Sequence, residues 1–354
     1  MHNLFQIDQV ILLLMLTIFI AVGLSWISIK LAPGVGLMDI PGSADHKDHA
    51  RPMPLTGGVI MMDSLILMVL ITGMWRVSDI WAIFISGLVV GLFGLWDDFK
   101  HLTVSQKLMG QILGAVILIV LGVQVDLFNS PEFFFRTGTN LDNWFNIGLT
   151  ILWVVTLTNA FNFIDSSDGL VVGLSGVSSA FFLIISQSLL WLVPAQTELI
   201  FLCTVILGTC IALYFFNSHP ASLFLGDSGA QMLGFLLASV AILYNPPVGN
   251  QSSTWFVPIL IFSLPLFDML LVVFSRIRRK RKIHEAAQDH TYHRLAQRGV
   301  PIQHAVLIMH GTSLILSMIG FLCLTLPVLW ANLVFGLVVL LGVSAYFELD
   351  RNYQ

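Results

Sequence analysis

The sequence predicts an all-α polytopic membrane protein of about eleven transmembrane helices, with the N-terminus outside and the C-terminus cytoplasmic. Three observations carry that reading. Apolar residues make up 56% of the 354 residues and charged ones 10%, against roughly 45–50% and 25% in a soluble domain, and the mean hydropathy is +0.88. Apolar runs of about 20 residues, the length that crosses a hydrocarbon core as helix, recur along the whole chain. The basic residues fall on alternate connections between those runs.

Taken in order, the runs lie near 9–29, 57–75, 80–96, 108–126, 144–163, 169–190, 198–216, 228–244, 255–275, 304–326 and 330–348. The first run lacks a basic n-region, with no Lys or Arg before it, shows no small-residue cleavage site and reads as a retained helix. Gly and Pro inside the runs are tolerated, because neighbouring helices satisfy a freed backbone group. One set of connections, with the C-terminus, carries Lys30, Lys47, Arg51, Lys100, Lys107, Arg276, Arg278, Arg279, Lys280, Arg281, Lys282, Arg294, Arg298 and Arg351; the other carries Arg76 and Arg136. Fourteen against two makes the first set cytoplasmic. Cys203, Cys210 and Cys323 sit within apolar runs and read as small core residues. Little of the chain is left for a separate soluble domain, so 1–354 reads as one membrane domain.

Nearly every unusual polar motif falls on the cytoplasmic connections: before Gly57, at Asp97–Lys107, at Asn159–Asp168, at Asn217–Gly229, and from Arg276 to Gln303. The stretch N-A-F-N-F-I-D-S-S-D-G-L (159–170) sets two amides and two carboxylates where one apolar run yields to the next. Carboxylates at such a place need a partner or a cation. The adjacent Asp97 and Asp98 repel unless a cation or proton relieves them. Asp227, in F-L-G-D-S-G, has flanking glycines that let backbone approach a ligand. Hard carboxylate oxygens beside phosphate suit Mg²⁺, which prefers one or two carboxylates plus substrate oxygens. The basic run Arg276–Lys282 reads either as a topology anchor or as a headgroup contact. His290 and His293, three apart and bracketed by Asp289 and Arg294, form a group able to donate to phosphate; no Cys or H-E-x-x-H pattern supports zinc.

Five motifs together give a resemblance: R-P-M-P-L-T-G-G (51–58), D-D (97–98), N-x-x-N-x-x-D-x-x-D-G-L (159–170), N-x-x-P-A-x-x-F-L-G-D-S-G (217–229) and D-H-T-Y-H-R (289–294). In that order, the chain resembles the polyprenyl-phosphate N-acetylhexosamine-1-phosphate transferases. The resemblance implies transfer of a sugar-1-phosphate from a UDP-N-acetylhexosamine to undecaprenyl phosphate with release of UMP, dependent on Mg²⁺ or alternatively Mn²⁺. It implies a bacterial cytoplasmic (inner) membrane location with the site on the cytoplasmic face. It carries the metal carboxylate onto Asp227 and the aspartate pair onto Asp97 and Asp98, with Asp97 as base toward the lipid phosphate. Asp168, Asn217 and Phe224 match uridine-binding positions, the last offering a ring for uracil. Asn162 and Asp165 match positions near the diphosphate and metal, Lys107 a lysine facing phosphate, and His290 and His293 the histidine loop.

His-Thr-Tyr-His stands where the branch using UDP-MurNAc-pentapeptide has three consecutive histidines, which favours UDP-GlcNAc and a surface-glycan pathway. His49 and Arg51 flank the place of a first-loop lysine that is not matched. Asp63 and Asp268 read either as interhelical hydrogen-bond partners or as lining for the lipid phosphate. A coupled transporter would want its Asp and His near the midplane, within symmetric halves; a non-catalytic scaffold would not need Asp97, Asp98 and Asp227 together. Expected partners are the sugar nucleotide, the polyprenyl phosphate and membrane lipid; a homodimer is left open, and no nucleic acid is expected.

Overall fold

A computed structural model describes residues 6–41, 51–130, 133, 135–189, 196–244, 254–283 and 287–351. Helix α1 (Ile7–Val35) leads into two short strands, β1 (Met38–Asp39) and β2 (Met53–Pro54), then α2 (Gly57–Thr72), α3 (Ser78–Lys100), α4 (Val104–Val120), α5 (Leu141–Ile164) and α6 (Leu170–Leu189). There follow α7 (Thr197–Asn217), α8 (Gly226–Leu243), α9 (Val257–Ile261), α10 (Ser263–Arg278), α11 (Thr291–Gln297), α12 (Ile302–Cys323) and α13 (Val328–Arg351). Each predicted span meets helix. Among the described residues, α1, α3, α5, α6, α7, α8, α12 and α13 are long and apolar enough to cross a membrane; α2 and α4, of 16 and 17 residues, are shorter apolar helices.

The run at 255–275 is not one helix but two, α9 and α10, meeting at Phe262. Pro265 is the cause. It has no N–H to offer the carbonyl of Ile261, so the first helix stops there, while the first turn of the next needs no donor at that position.

Helix α8 is the axis of the bundle: α2, α3, α5, α6 and α7 all pack on it, and all of Ser228–Val240 is buried. Helix α13 is the opposite case, with only Ala331 and Asp350 buried, and Leu329, Leu337, Leu340 and Phe347 exposed. Such apolar exposure is ordinary where the surrounding solvent is lipid. The three cysteines are buried and free. The strands pair antiparallel, Met38 against Pro54 and Asp39 against Met53. Leu55 then bridges Phe224 in parallel, and the amides of Phe224, Gly57 and Gly58 bond Pro54, Phe224 and Leu225 carbonyls at 2.8, 3.1 and 3.1 Å. The first-loop motif is thereby stitched to the entry of α8.

Candidate active site

The α3–α4 turn holds the first charged pair. Helix α3 ends as His101 turns into the left-handed region (φ 50°), and α4 opens with a capping box in which Thr103 and Gln106 satisfy each other's amides. That box puts Lys107 on the first turn of α4, where the helix dipole disfavours a cation. Two carboxylates compensate: Lys107 Nζ forms an ion pair with Asp97 and another, at 3.4 Å, with Asp227. Asp97 is buried, and its other oxygen accepts the Leu102 N–H at 2.5 Å.

Asp98 has a different job. Its two oxygens accept the N–H groups of Asp227 (2.7 Å) and Ser228 (3.1 Å) and the Ser228 hydroxyl (2.6 Å). A side chain from α3 thus caps the N-terminus of α8, satisfying donors that have no partner within that helix. Gly226 enters the helix at φ 74°, and a Cβ there would lie 2.8 Å from the Asp98 carboxylate; a Cβ on Gly94 would lie 2.5 Å from the Ser228 Cα. Both glycines are needed for α3 to come this close.

The Asn159–Leu170 stretch arrives from α5. Asn162 donates to Asp227 at 2.6 Å, so both Asp227 oxygens are engaged, one by an amide and one by Lys107. One turn earlier, Asn159 joins Gln111 and Gln231 in a polar network beneath the carboxylates, with amide contacts of 2.7 to 3.4 Å. Asp165, beyond the helix end, accepts no hydrogen bond among the described residues. Burial, and then the charges of Asp227, Asp98 and Asp168, hold its carboxyl well above the usual carboxylate range. Asp168 accepts the Ala221 N–H at 3.2 Å and faces His219 Nδ1 at 3.1 Å. Arg51 reaches the Ala221 carbonyl at 3.3 Å; Lys47 and His49 lie outside the described residues.

Asn217 spends its amide inside the fold, accepting from Gly169 N–H (3.1 Å) and donating to Leu223 O (3.0 Å). It joins the Asp168 turn to the approach to α8, and Phe224 follows, partly exposed. In the histidine loop, Arg276 grips Asp289 with two bonds of 2.7 Å. His290 Nδ1 lies 2.7 Å from Asp268, and the Tyr292 hydroxyl donates to Ser166 O at 2.7 Å, docking the loop on the Asp165–Asp168 turn. Arg294 is buried and turned toward α13, bonding Asp350 at 2.8 Å and the Asp289 carbonyl at 2.8 Å. His293 packs on Tyr292, with ring centroids 4.0 Å apart, and its buried Nδ1 has no hydrogen-bond partner among the described residues. Burial, reinforced by His290, pushes its ring down to about 4.

The model of glycosyl transferase family 4 matches residues 80–245, from α3 to the end of α8. The phospho-N-acetylmuramoyl-pentapeptide-transferase of Limosilactobacillus fermentum is 30% identical over 250 residues, 68% of this chain and 74% of that protein. The chain belongs to glycosyl transferase family 4. Other relatives of this family 4 chain cover more of it. The probable undecaprenyl-phosphate N-acetylglucosaminyl 1-phosphate transferase of Bacillus subtilis is 28% identical over 321 residues, 89% of this chain and 86% of its own. The decaprenyl-phosphate N-acetylglucosaminephosphotransferase of Mycobacterium leprae is 28% identical over 286 residues, 74% of this chain and 71% of its own.

In this family 4 chain, then, Asp97, Lys107, Asn162 and Asp227 meet directly, Asp98 and Asn217 hold backbone, and Arg294 is committed to the last helix. Sequence reasoning passed over His219, Gln111, Gln231 and Asp350. His219, beside Asp168 and next to Pro220, carried a readable signal; the two glutamines carried only their polarity inside apolar runs.

Proposed function

We propose that the protein transfers N-acetylglucosamine-1-phosphate from UDP-N-acetylglucosamine to a polyprenyl phosphate, undecaprenyl phosphate where the membrane is bacterial, at its cytoplasmic face. The observation that carries the reaction class is the Lys107 ammonium held between Asp97 and Asp227 at the helix ends, with Asp98 bound to the Asp227 N–H and the Asp165 carboxyl raised by burial and by the charges of Asp227 and Asp98. The choice of sugar rests on the Bacillus and Mycobacterium relatives, which cover the chain more fully than the muramoyl-pentapeptide transferase does, and on His-Thr-Tyr-His in the last loop.

The donor set fits Mg²⁺: hard carboxylate oxygens in excess of positive charge, of which Mg²⁺ takes one or two together with phosphate oxygens. Asp227 would hold the ion, with Asp165 beside it; bound there, it neutralises charge on the diphosphate and orients it. Lys107 supplies fixed positive charge facing the same phosphates. A lipid-phosphate oxygen attacks the β-phosphorus, the bond from that phosphorus to the bridging oxygen breaks, and the electron pair leaves with UMP. A phosphate monoester is already largely ionised at neutral pH, so direct attack needs no strong base. Asp97, tied to Lys107, keeps that lysine placed and stands ready to take any residual acceptor proton. Asp168, His219 and Phe224 form the wall for the uridine. A non-catalytic scaffold leaves this carboxylate cluster without a purpose, and a coupled transporter would want its Asp and His near the midplane rather than at the helix ends.

The test is purified protein in detergent with polyprenyl phosphate, Mg²⁺ and a panel of radiolabelled UDP-sugars, with Asp227→Asn as control. Label should enter the lipid phase from UDP-N-acetylglucosamine and fall about a hundred- to a thousandfold in the control, as for loss of a group at the reacting centre. No transfer from any sugar nucleotide, by folded protein, contradicts the reading.

A further inference from the structure

The D-H-T-Y-H-R loop is fastened at nearly every residue, and the most deeply buried fastening comes from Asp268. That carboxylate is fully buried in α10, three residues past Pro265. Its Oδ1 accepts the Thr291 N–H at 2.6 Å and its Oδ2 lies 2.7 Å from His290 Nδ1. A carboxylate without its proton only accepts, so the shared hydrogen sits on Nδ1. A buried charge without such partners would cost several kcal/mol. Among the described residues, the other charged and titratable groups around His290 are Asp289, paired with Arg276, and His293 and Tyr292 on its own helix. With Nδ1 occupied by Asp268, the ring can meet a ligand only through Nε2.

We propose that Asp268 is a positioning residue for the transferase reaction: it fixes His290 as the Nδ1–H form and points Nε2 at the diphosphate of the sugar nucleotide. The break at Phe262 serves this arrangement, because it sets the start of α10 where an intramembrane carboxylate can reach a loop folded back from the cytoplasmic end of the same helix. The role rests on the function proposed above. It matches the general rule that an imidazole is oriented by whatever its second nitrogen binds.

The decisive variant is Asp268→Asn, nearly the same shape. Its single oxygen is claimed by the Thr291 N–H, so its amide NH₂ faces His290 Nδ1 and moves the ring's hydrogen to Nε2. We expect kcat/KM for the sugar nucleotide to fall about 10–100-fold, as when an orienting partner is lost, with the thermal midpoint held within a few degrees. Adding His290→Ala should bring little further loss, since both changes remove the same interaction. Independent losses that multiply in the double variant would overturn the proposal, as would an Asp268→Asn enzyme of wild-type kcat/KM. If the variant does not fold, ¹⁵N-histidine spectra of the wild-type protein in lipid nanodiscs decide, with His290 assigned against His290→Gln: a protonated Nδ1 supports the dyad and an unprotonated one refutes it. That spectrum needs no turnover, so a protein without transferase activity would sink the proposed function and leave this arrangement to be judged separately.

Discussion

The Asp98 carboxylate accepts the backbone N–H of Asp227 at 2.7 Å, so one aspartate of the 97–98 pair sets where the other arm of the site begins. Asp98→Asn keeps a single acceptor for three donors, and its amide hydrogens face the N–H groups of α8. The expected result is a loss of about 1–3 kcal/mol in stability, the cost of leaving buried donors unmet, and a fall in kcat with KM for the sugar nucleotide little changed. Thermal unfolding and steady-state kinetics on the same preparation check both parts.

Gly226 tests the same junction from the backbone. Alanine there meets a left-handed φ of 74° and a carboxylate oxygen 2.8 Å from its Cβ. The conformation alone costs about 1–2 kcal/mol, and relief by withdrawal of Asp98 unseats Asp227. Gly226→Ala should therefore lose most of its activity, whereas Gly336→Ala, with open space around it, should be silent in the same assay.

Asn217 separates a structural amide from a ligand contact. Both of its groups are spent on Gly169 and Leu223. Asn217→Ala is expected to lower stability by about 1–3 kcal/mol and to raise KM for the nucleotide only through the shifted Asp168 turn. Phe224→Leu, by contrast, should raise that KM while leaving the unfolding midpoint within a few degrees. Equal effects of the two on both readouts would count against the division.

His293 gives a pH dependence of known sign. Its folded-state value of about 4 lies below the ordinary 6.5, so the unfolded chain takes up the proton first. Stability from this group is whole above about 6.5 and is lost as pH falls from there toward 4. Asp165, raised by burial, runs the other way, stabilising less as pH climbs past the ordinary carboxylate range. Comparing wild type with His293→Asn isolates the histidine: the variant's midpoint should fall less between pH 7.5 and 5.0.

Asp350 ties the histidine loop to the last helix. Its carboxylate meets Arg278, Arg279 and Arg294 at 2.7, 3.0 and 2.8 Å. Asp350→Ala removes a counter-charge of the buried Arg294, a change of the kind that costs up to about 3–5 kcal/mol. Faster proteolysis within 279–300 should follow, together with a higher KM for the sugar nucleotide.

Hydropathy made the spans legible because lipid demands long apolar helices whatever their packing. The motifs made the site legible because Asp97, Lys107, Asn162 and Asp227 are polar at places where polarity is costly. Partners were harder to read. Nothing local in Asp97-Asp98 tells that one faces Lys107 and the other caps α8; that follows from two glycines admitting α3 to the helix end. The break at Phe262 hid inside an unbroken apolar run, marked only by Pro265. Arg294 read as a phosphate contact by charge, yet its partner Asp350 is distant in sequence and comes to it through the last helix.

The central claim is that sugar and phosphate travel together. UDP-N-acetylglucosamine labelled with ³H in the sugar and ³²P in the β-phosphate, given with polyprenyl phosphate and Mg²⁺, reads this in one extraction. Both labels should enter the lipid in the ratio they had in the nucleotide, with UMP as the only nucleotide product. Tritium in the lipid without ³²P, and UDP in the aqueous phase, would contradict the account.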